Sequence, residues 1–79
     1  MPHIIVKLYP GREEAQKTAL AETIADKVVT ILECDRASVS VAFEEIPRND
    51  WAERVYKPDI IENAEKLYLQ PGYNPFQNP

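Results

Sequence analysis

A proline stands second in the sequence, directly ahead of an apolar run that is typical of a β-strand. A structural explanation exists, because the first residue of a strand is one of the few places where a sheet tolerates a missing N–H donor. If the initiator methionine is removed, however, Pro2 carries a free secondary amine held in a rigid ring. An α-amino group has a pKa of about 8, close to the value that general acid–base catalysis requires. Pro2 is therefore a candidate base, with strand initiation as the alternative.

Two further side chains could take part in such chemistry. Arg12 follows the Pro10-Gly11 turn, and its planar guanidinium is suited to holding a carboxylate through parallel hydrogen bonds. Trp51 is the single tryptophan, and a bulky aromatic side chain of this kind excludes water from its neighbours. Taken alone, Arg12 is more simply a solvated cation at a helix start and Trp51 a core residue. The roles of Arg12 and Trp51 depend on the strands and helices that position them.

Those elements are a strand, a long helix and a second strand. Residues 3–9 are mostly β-branched or apolar and end at a Pro-Gly turn signal, while residues 38–46 alternate with the period of a strand. Residues 12–33 contain neither proline nor glycine and repeat apolar side chains at helical spacing. The predicted inward stripe of this helix comprises Ala15, Ala19, Leu20, Ile24, Val28 and Ile31 or Leu32. A helix this long returns the chain for parallel pairing through a right-handed crossover, so we predict a β-α-β unit of the α+β class.

The remainder of the chain is predicted to be a helical segment over residues 47–69 and an extended tail over residues 70–79. Pro58 either begins a new helix or kinks a single one, and the sequence leaves both open. We expect one domain over residues 1–79, with residues 1–46 as the β-α-β unit. Two strands are too few for a stable sheet, and their edges stay open. A homodimer with a four-stranded sheet is therefore expected.

Composition excludes several classes of function. The chain has 79 residues and a formal net charge of −4, and its nine basic residues form no stripe, so we expect no nucleic-acid partner. Cys34 and His3 are single residues of their type, which argues against a disulfide framework and a zinc site, and we expect no cofactor or metal. No apolar stretch is long enough to span a membrane and no signal peptide is recognisable. A cytoplasmic protein without a membrane partner is the expectation.

The joint pattern of Pro2, Gly11-Arg12, the strand Ser38-Val39-Ser40-Val41 and Trp51 resembles the 4-oxalocrotonate tautomerase family, and no gap is needed to match it. Members begin with a catalytic proline after methionine removal, followed by a long helix and a second strand that precedes an aromatic residue. The resemblance runs from Pro2 to Trp51. The tail, with Pro71-Gly72-Tyr73, resembles a longer-chain, dimeric bacterial branch whose members act on enols of 2-oxo acids.

The resemblance implies an isomerase that interconverts enol and keto forms of a 2-oxo acid. Pro2 is implied as the general base and, once protonated, the general acid. Arg12 is implied to bind the substrate carboxylate. Trp51 is implied as an apolar wall whose exclusion of water lowers the pKa of the proline amine.

One departure from the family bears on the substrate. The best-known members carry a second arginine in the second strand, where this chain has Ser40, and a hydroxyl has no charge. Ser40 is thus a weaker substrate-binding group, and 2-hydroxydienoates or aryl-pyruvate enols are better candidates than dicarboxylates. Arg36 and Arg48 are possible substitutes, although surface charges are the simpler interpretation. The alternatives are a non-catalytic dimeric module that binds a small carboxylate or a protein, and another reaction of the same superfamily.

Overall fold

The computed structural model describes residues 1–77 of the chain, and these fall into two compact units. The first comprises Met1–Glu45 and the second begins at Ile46. The boundary lies at the end of the second strand, where the sequence changes from an alternating pattern to a proline-led helical one. The expected single domain over residues 1–79 stays a prediction, and residues 78 and 79 of the expected tail lie outside the described residues.

The first unit is the predicted β-α-β arrangement. Strand β1 spans His3–Leu8, helix α1 spans Glu14–Leu32, and strand β2 spans Ser40–Glu45. A single 3-10 turn over Arg36–Ser38 leads from the helix into β2. The two strands pair in parallel, which confirms the predicted α+β fold. Each element begins and ends at or slightly inside its predicted limits, the usual result because propensity fixes the middle of an element better than its ends.

The parallel ladder runs from the pair His3 and Ser40 to the pair Leu8 and Glu45. It is extended at its start by one more bond, in which the Ser40 N–H donates to the Pro2 carbonyl oxygen at 3.2 Å. Pro2 therefore contributes an acceptor to the sheet and no donor. The missing N–H costs the ladder nothing at this position, which is why a proline fits there.

Helix α1 buries only part of the predicted stripe, in which Ile24 and Val28 are half-buried. Its buried residue is Ala25, at 7% exposure, whereas Leu20 and Ile31 of the predicted stripe are 43% and 71% exposed. Periodicity identifies residues that share a face, but the rotation of a helix about its axis is set by contacts with the sheet. The half-buried Ile24 and Val28 lie next to Ala25 in this face, so the predicted stripe is correct in its middle and wrong toward its ends.

The described part of the second unit contains two 3-10 turns and one longer π-helix. A 3-10 turn over Arg48–Asp50 leads into a π-helix over Ala52–Ile61, and a further 3-10 turn covers Ala64–Lys66. The predicted C-terminal helical segment is therefore confirmed. Pro58 lies inside the π-helix, so of the two alternatives the structure excludes a new helix that begins there. No helix within residues 1–77 is both long enough and apolar enough to cross a membrane.

The tail over residues 70–77 has neither helix nor strand, and it ends in a local turn. The Gln77 N–H donates to the Asn74 carbonyl at 3.2 Å, and the Asn74 side chain accepts from the Phe76 N–H at 2.8 Å. An asparagine that bonds its own backbone two residues on is a recurrent way of fixing a turn. The described part of the tail thus has a defined course.

Candidate active site

Pro2 lies at the start of β1 and is half-buried, while Met1 is 100% exposed. The bond from the Ser40 N–H to the Pro2 carbonyl fixes the backbone of Pro2 on the sheet. The exposed Met1 leaves the peptide bond between the two residues open to cleavage. Removal of Met1 would release the Pro2 nitrogen as an amine at a position that the ladder has already fixed.

Ser40 shares its face of the sheet with His3 and not with Pro2, because neighbours in a strand point to opposite faces and His3 is the register partner of Ser40. The Nδ1 atom of His3 lies 2.6 Å from the Ser40 Oγ atom. The tautomer of His3 decides which of the two groups donates this hydrogen bond. The Ser40 hydroxyl, predicted to bind substrate, is therefore oriented by the imidazole next to Pro2 in the chain.

Arg12 lies beyond the opposite end of β1, in the connection to α1. Gly11, which precedes it, has φ of 122°, a backbone conformation that a residue with a side chain rarely adopts. The Arg12 side chain borders a small cleft of about 110 Å³ in the first unit. The other lining residues are Leu8, Gln16, Lys17, Leu20 and Phe43. Arg12 thus has an exposed guanidinium beside a mainly apolar floor, an arrangement with the charge and the surface that would suit an organic carboxylate.

The second cation of this cleft, Lys17, is already paired. Its Nζ atom lies 2.7 Å from a Glu14 carboxylate oxygen and 2.9 Å from a Glu45 carboxylate oxygen. Hydrogen bonds to Glu14 and then to Glu45 raise the pKa of Lys17 above its ordinary value. Arg12 forms no hydrogen bond or ion pair within residues 1–77. Of the two cations that line this cleft, Arg12 is therefore the one whose charge is available to an incoming anion.

This pairing predicts how the stability of the protein depends on pH. A raised pKa in the folded state stabilises the protein below the ordinary lysine value of 10.5, and that contribution disappears as the pH rises through the folded-state value. We expect Lys17→Met to lower the urea midpoint slightly at neutral pH, and the difference from wild type to vanish at strongly alkaline pH. Lys27→Met, on the same helix, is the control for loss of a lysine. An equal difference at both pH values would contradict the role of the ion pairs.

Pro2 and Arg12 are not brought together within one chain. They flank β1, which has six residues, and a strand of that length separates its ends by about 20 Å. A small substrate cannot contact both groups across that distance. If both serve one reaction, the arginine and the proline must come from different copies of the chain.

Trp51 belongs to the second unit and follows its first 3-10 turn. The indole is half-buried, and its Nε1–H donates to the Tyr73 hydroxyl oxygen at 2.8 Å. The Tyr56 hydroxyl donates to the Tyr73 backbone carbonyl at 2.7 Å, and the rings of Tyr56 and Tyr73 are 5.2 Å apart. The tail is thereby attached to the π-helix by an aromatic cluster that includes Trp51.

Sequence reasoning missed Tyr56 as a member of this cluster. Trp51 and Tyr56 are five residues apart, a spacing that matches the wide turn of a π-helix and not the α-helical period of 3.6 residues. Because π-helices are rare, apolar residues along a helix are compared with the α-helical period and not with the wider π-helical one. The only available signal was the aromatic content of the tail after Gly72.

Arg36, considered as a substitute for the missing second arginine, is held by α1. Its guanidinium nitrogens lie 2.6 Å from Asp26 and 2.5 Å from Glu22, both on exposed positions of the helix. Arg36 therefore ties the turn before β2 to the helix. Arg48 begins the first 3-10 turn of the second unit, and it is not without a partner there.

Comparisons with a family model and with known relatives agree with one another. A family model described as tautomerase enzyme matches residues 2–54. A probable tautomerase of Xylella fastidiosa (strain 9a5c) is 43% identical over 79 residues, which cover 100% of this chain and 96% of the relative. Tautomerase PptA of Enterobacter sp. (strain 638) is 35% identical over 75 residues, which cover 94% and 99% of the two chains.

The backbone is similar to that of a solved structure. The crystal structure of YwhB, a homologue of 4-oxalocrotonate tautomerase, superposes with a TM-score of 0.63 at 26% sequence identity. The match covers 68% of this chain and 88% of YwhB. The family match ends at residue 54, so the aromatic cluster formed by the tail lies largely beyond the part described by the family model.

Proposed function

The chain belongs to the tautomerase family and is an isomerase of that kind, and from this premise we propose that it interconverts the enol and keto forms of 2-oxo acids in the cytoplasm. The proposed substrates are 2-hydroxydienoates or aryl-pyruvate enols. The observation that carries this proposal is the position of Pro2. The Pro2 carbonyl oxygen accepts a hydrogen bond from the ladder, whereas the proline nitrogen has no hydrogen to donate to it.

The proposed base is the Pro2 amine, freed by removal of Met1. The neutral nitrogen takes the proton from the enol hydroxyl, and the oxygen's electron pair forms the C=O bond. The electrons of the C=C bond then take up a proton at carbon, supplied by the protonated proline. The proline returns to its neutral form, so the reaction needs no other reactant.

A free α-amino group with a pKa of about 8 is mostly protonated at neutral pH and would be a poor base. Apolar surroundings and nearby cations both disfavour the protonated form and lower that pKa. In the proposed site, Trp51 is the apolar wall and Arg12 the cation that holds the substrate carboxylate. Ser40, which His3 holds on the opposite face of the sheet from Pro2, is a hydroxyl where related enzymes have a charge.

We propose a homodimer in which the two sheets join edge to edge in opposite directions. Such pairing brings the Pro2 end of one β1 near the Arg12 end of the other, which removes the separation of about 20 Å within one chain. Association would also give hydrogen-bond partners to the backbone N–H and C=O groups of an open strand edge. Exposed apolar side chains support association as well, since Ile5, Ile31 and Leu32 are 49%, 71% and 61% exposed.

The proposed function is tested by the ketonisation of the phenylpyruvate enol, followed with protein whose intact mass shows that Met1 is absent. We expect a rate well above buffer, and a lower kcat/KM for a dicarboxylate enol, because Ser40 lacks the charge that a second carboxylate needs. Binding of small carboxylates without any acceleration would favour the non-catalytic module. In sedimentation, a stable hexamer would contradict the proposed dimer.

A further inference from the structure

We propose that Tyr73 is a positioning residue for the tautomerase reaction, because its hydroxyl fixes the indole of Trp51 in one orientation. The contact itself lies wholly within the second unit. Its consequence for catalysis rests on the proposed function, in which Trp51 is the apolar wall of the site. Tyr73 lies outside the residues 2–54 that the family model matches.

The hydrogen bond between Trp51 and Tyr73 restricts the indole. An indole has one donor and no acceptor, and here that donor is 2.8 Å from the Tyr73 Oη atom. Trp51 is half-buried and Tyr73 is 49% exposed, so water competes for the indole N–H, and an orientation without this bond is higher in free energy only by the modest net value of one hydrogen bond. The bonded orientation is favoured over the others by that difference.

Tyr73 is able to hold Trp51 only because it is itself anchored. Its backbone carbonyl accepts a hydrogen bond of 2.7 Å from the hydroxyl of Tyr56, which is only 6% exposed. The Tyr56 ring also contacts the Tyr73 ring at 5.2 Å and the Phe76 ring at 6.1 Å. The buried Tyr56 therefore fixes the tail, and the tail fixes Trp51.

The consequence for catalysis follows from desolvation. In the proposed site, a fixed indole keeps water from the proline amine and lowers the pKa of that amine. If the indole is released, water gains access and the pKa of the amine rises toward its ordinary value of about 8. The neutral base then forms only at higher pH, so the acid limb of the kcat/KM profile moves to higher pH.

The test compares Tyr73→Phe with Tyr68→Phe. The first variant keeps the ring and the backbone carbonyl that Tyr56 binds, and it removes only the acceptor of the Trp51 N–H. The second makes the same chemical change at a tyrosine that is 99% exposed. Trp51 is the single tryptophan, so intrinsic fluorescence reports on this side chain alone.

We expect Tyr73→Phe to increase quenching of the Trp51 emission by acrylamide and to lower kcat/KM about threefold to tenfold, the range for loss of one hydrogen bond. The acid limb of its pH profile should move to higher pH, while its melting temperature stays close to wild type. Tyr68→Phe should match wild type in every measurement.

Fluorescence quenching in Tyr73→Phe identical to that in Tyr68→Phe would overturn the proposal, whatever the activity. Altered quenching with an unchanged pH profile and unchanged kcat/KM would overturn the catalytic part of it. A Trp51→Phe protein separates this failure from that of the proposed function. If that protein shows wild-type kinetics, the role assigned to Trp51 is wrong, and a Pro2-dependent reaction can still stand.

Discussion

Pro2→Ala is expected to lower kcat/KM for ketonisation of the phenylpyruvate enol by at least about a hundredfold, the lower end of what a positioned acid–base group contributes. Alanine retains an amine but loses the ring that fixes the nitrogen. The fold should be unaffected, because the Ser40 N–H bonds to the carbonyl of residue 2 and that oxygen is kept. The measurement is the initial rate with protein of confirmed mass.

Two controls make this result specific to the nitrogen. Pro10→Ala makes the same change at an exposed proline beyond the other end of β1, and it should retain activity. Wild-type protein that keeps Met1 has an amide nitrogen with no usable lone pair at Pro2, and it should be less active than Pro2→Ala. Wild-type activity in either the Pro2→Ala protein or the Met1-retaining protein would show that the Pro2 amine is not the base.

Arg12→Ala is expected to lower kcat/KM by about tenfold to a hundredfold, the cost of losing charge-assisted hydrogen bonds to a carboxylate. Arg12→Lys should recover only part of this, because a lysine keeps the charge but not the planar fork. The matched control is Arg54→Gln, which removes an exposed arginine that pairs with Asp50 at 3.4 Å. Equal kinetics of the Arg12 and Arg54 variants would exclude the carboxylate role.

Mixing the two impaired proteins tests whether one site uses both copies of the chain. A mixed dimer of Pro2→Ala and Arg12→Ala subunits contains one site with an intact Pro2 and an intact Arg12, provided that each residue comes from a different copy. About a quarter of wild-type activity should return after subunit exchange at equal amounts, since half of the dimers are mixed and each has one working site. No recovery would mean that one copy supplies both residues.

The β-α-β unit could be predicted from the sequence because each signal for it is local. A proline and glycine end the first strand, their absence permits the long helix, and alternation marks the second strand. Parallel pairing then follows from chain geometry. The candidate site was inferred differently: Pro2, Arg12, Ser40 and Trp51 were identified by their joint pattern, and their roles remain to be measured.

The rotation of α1 could be predicted only in part. Leu20 and Ala25 lie on different sides of the helix, and both belong to plausible apolar stripes. The choice depends on the distance between helix and sheet and on the reach of Lys17 to Glu45 on β2, which are properties of the packed unit. A sequence pattern encodes neither the distance between helix and sheet nor the contact between Lys17 and Glu45.

The sequence by itself determined the order of the elements and their parallel pairing, because these depend on neighbours along the chain, and its joint pattern identified the residues that could do chemistry. The tertiary structure alone decided that Ser40 is held by His3 and that Tyr73 holds Trp51. These are relations between residues distant in sequence. They arise from strand register and from a π-helical turn, and no local propensity encodes them.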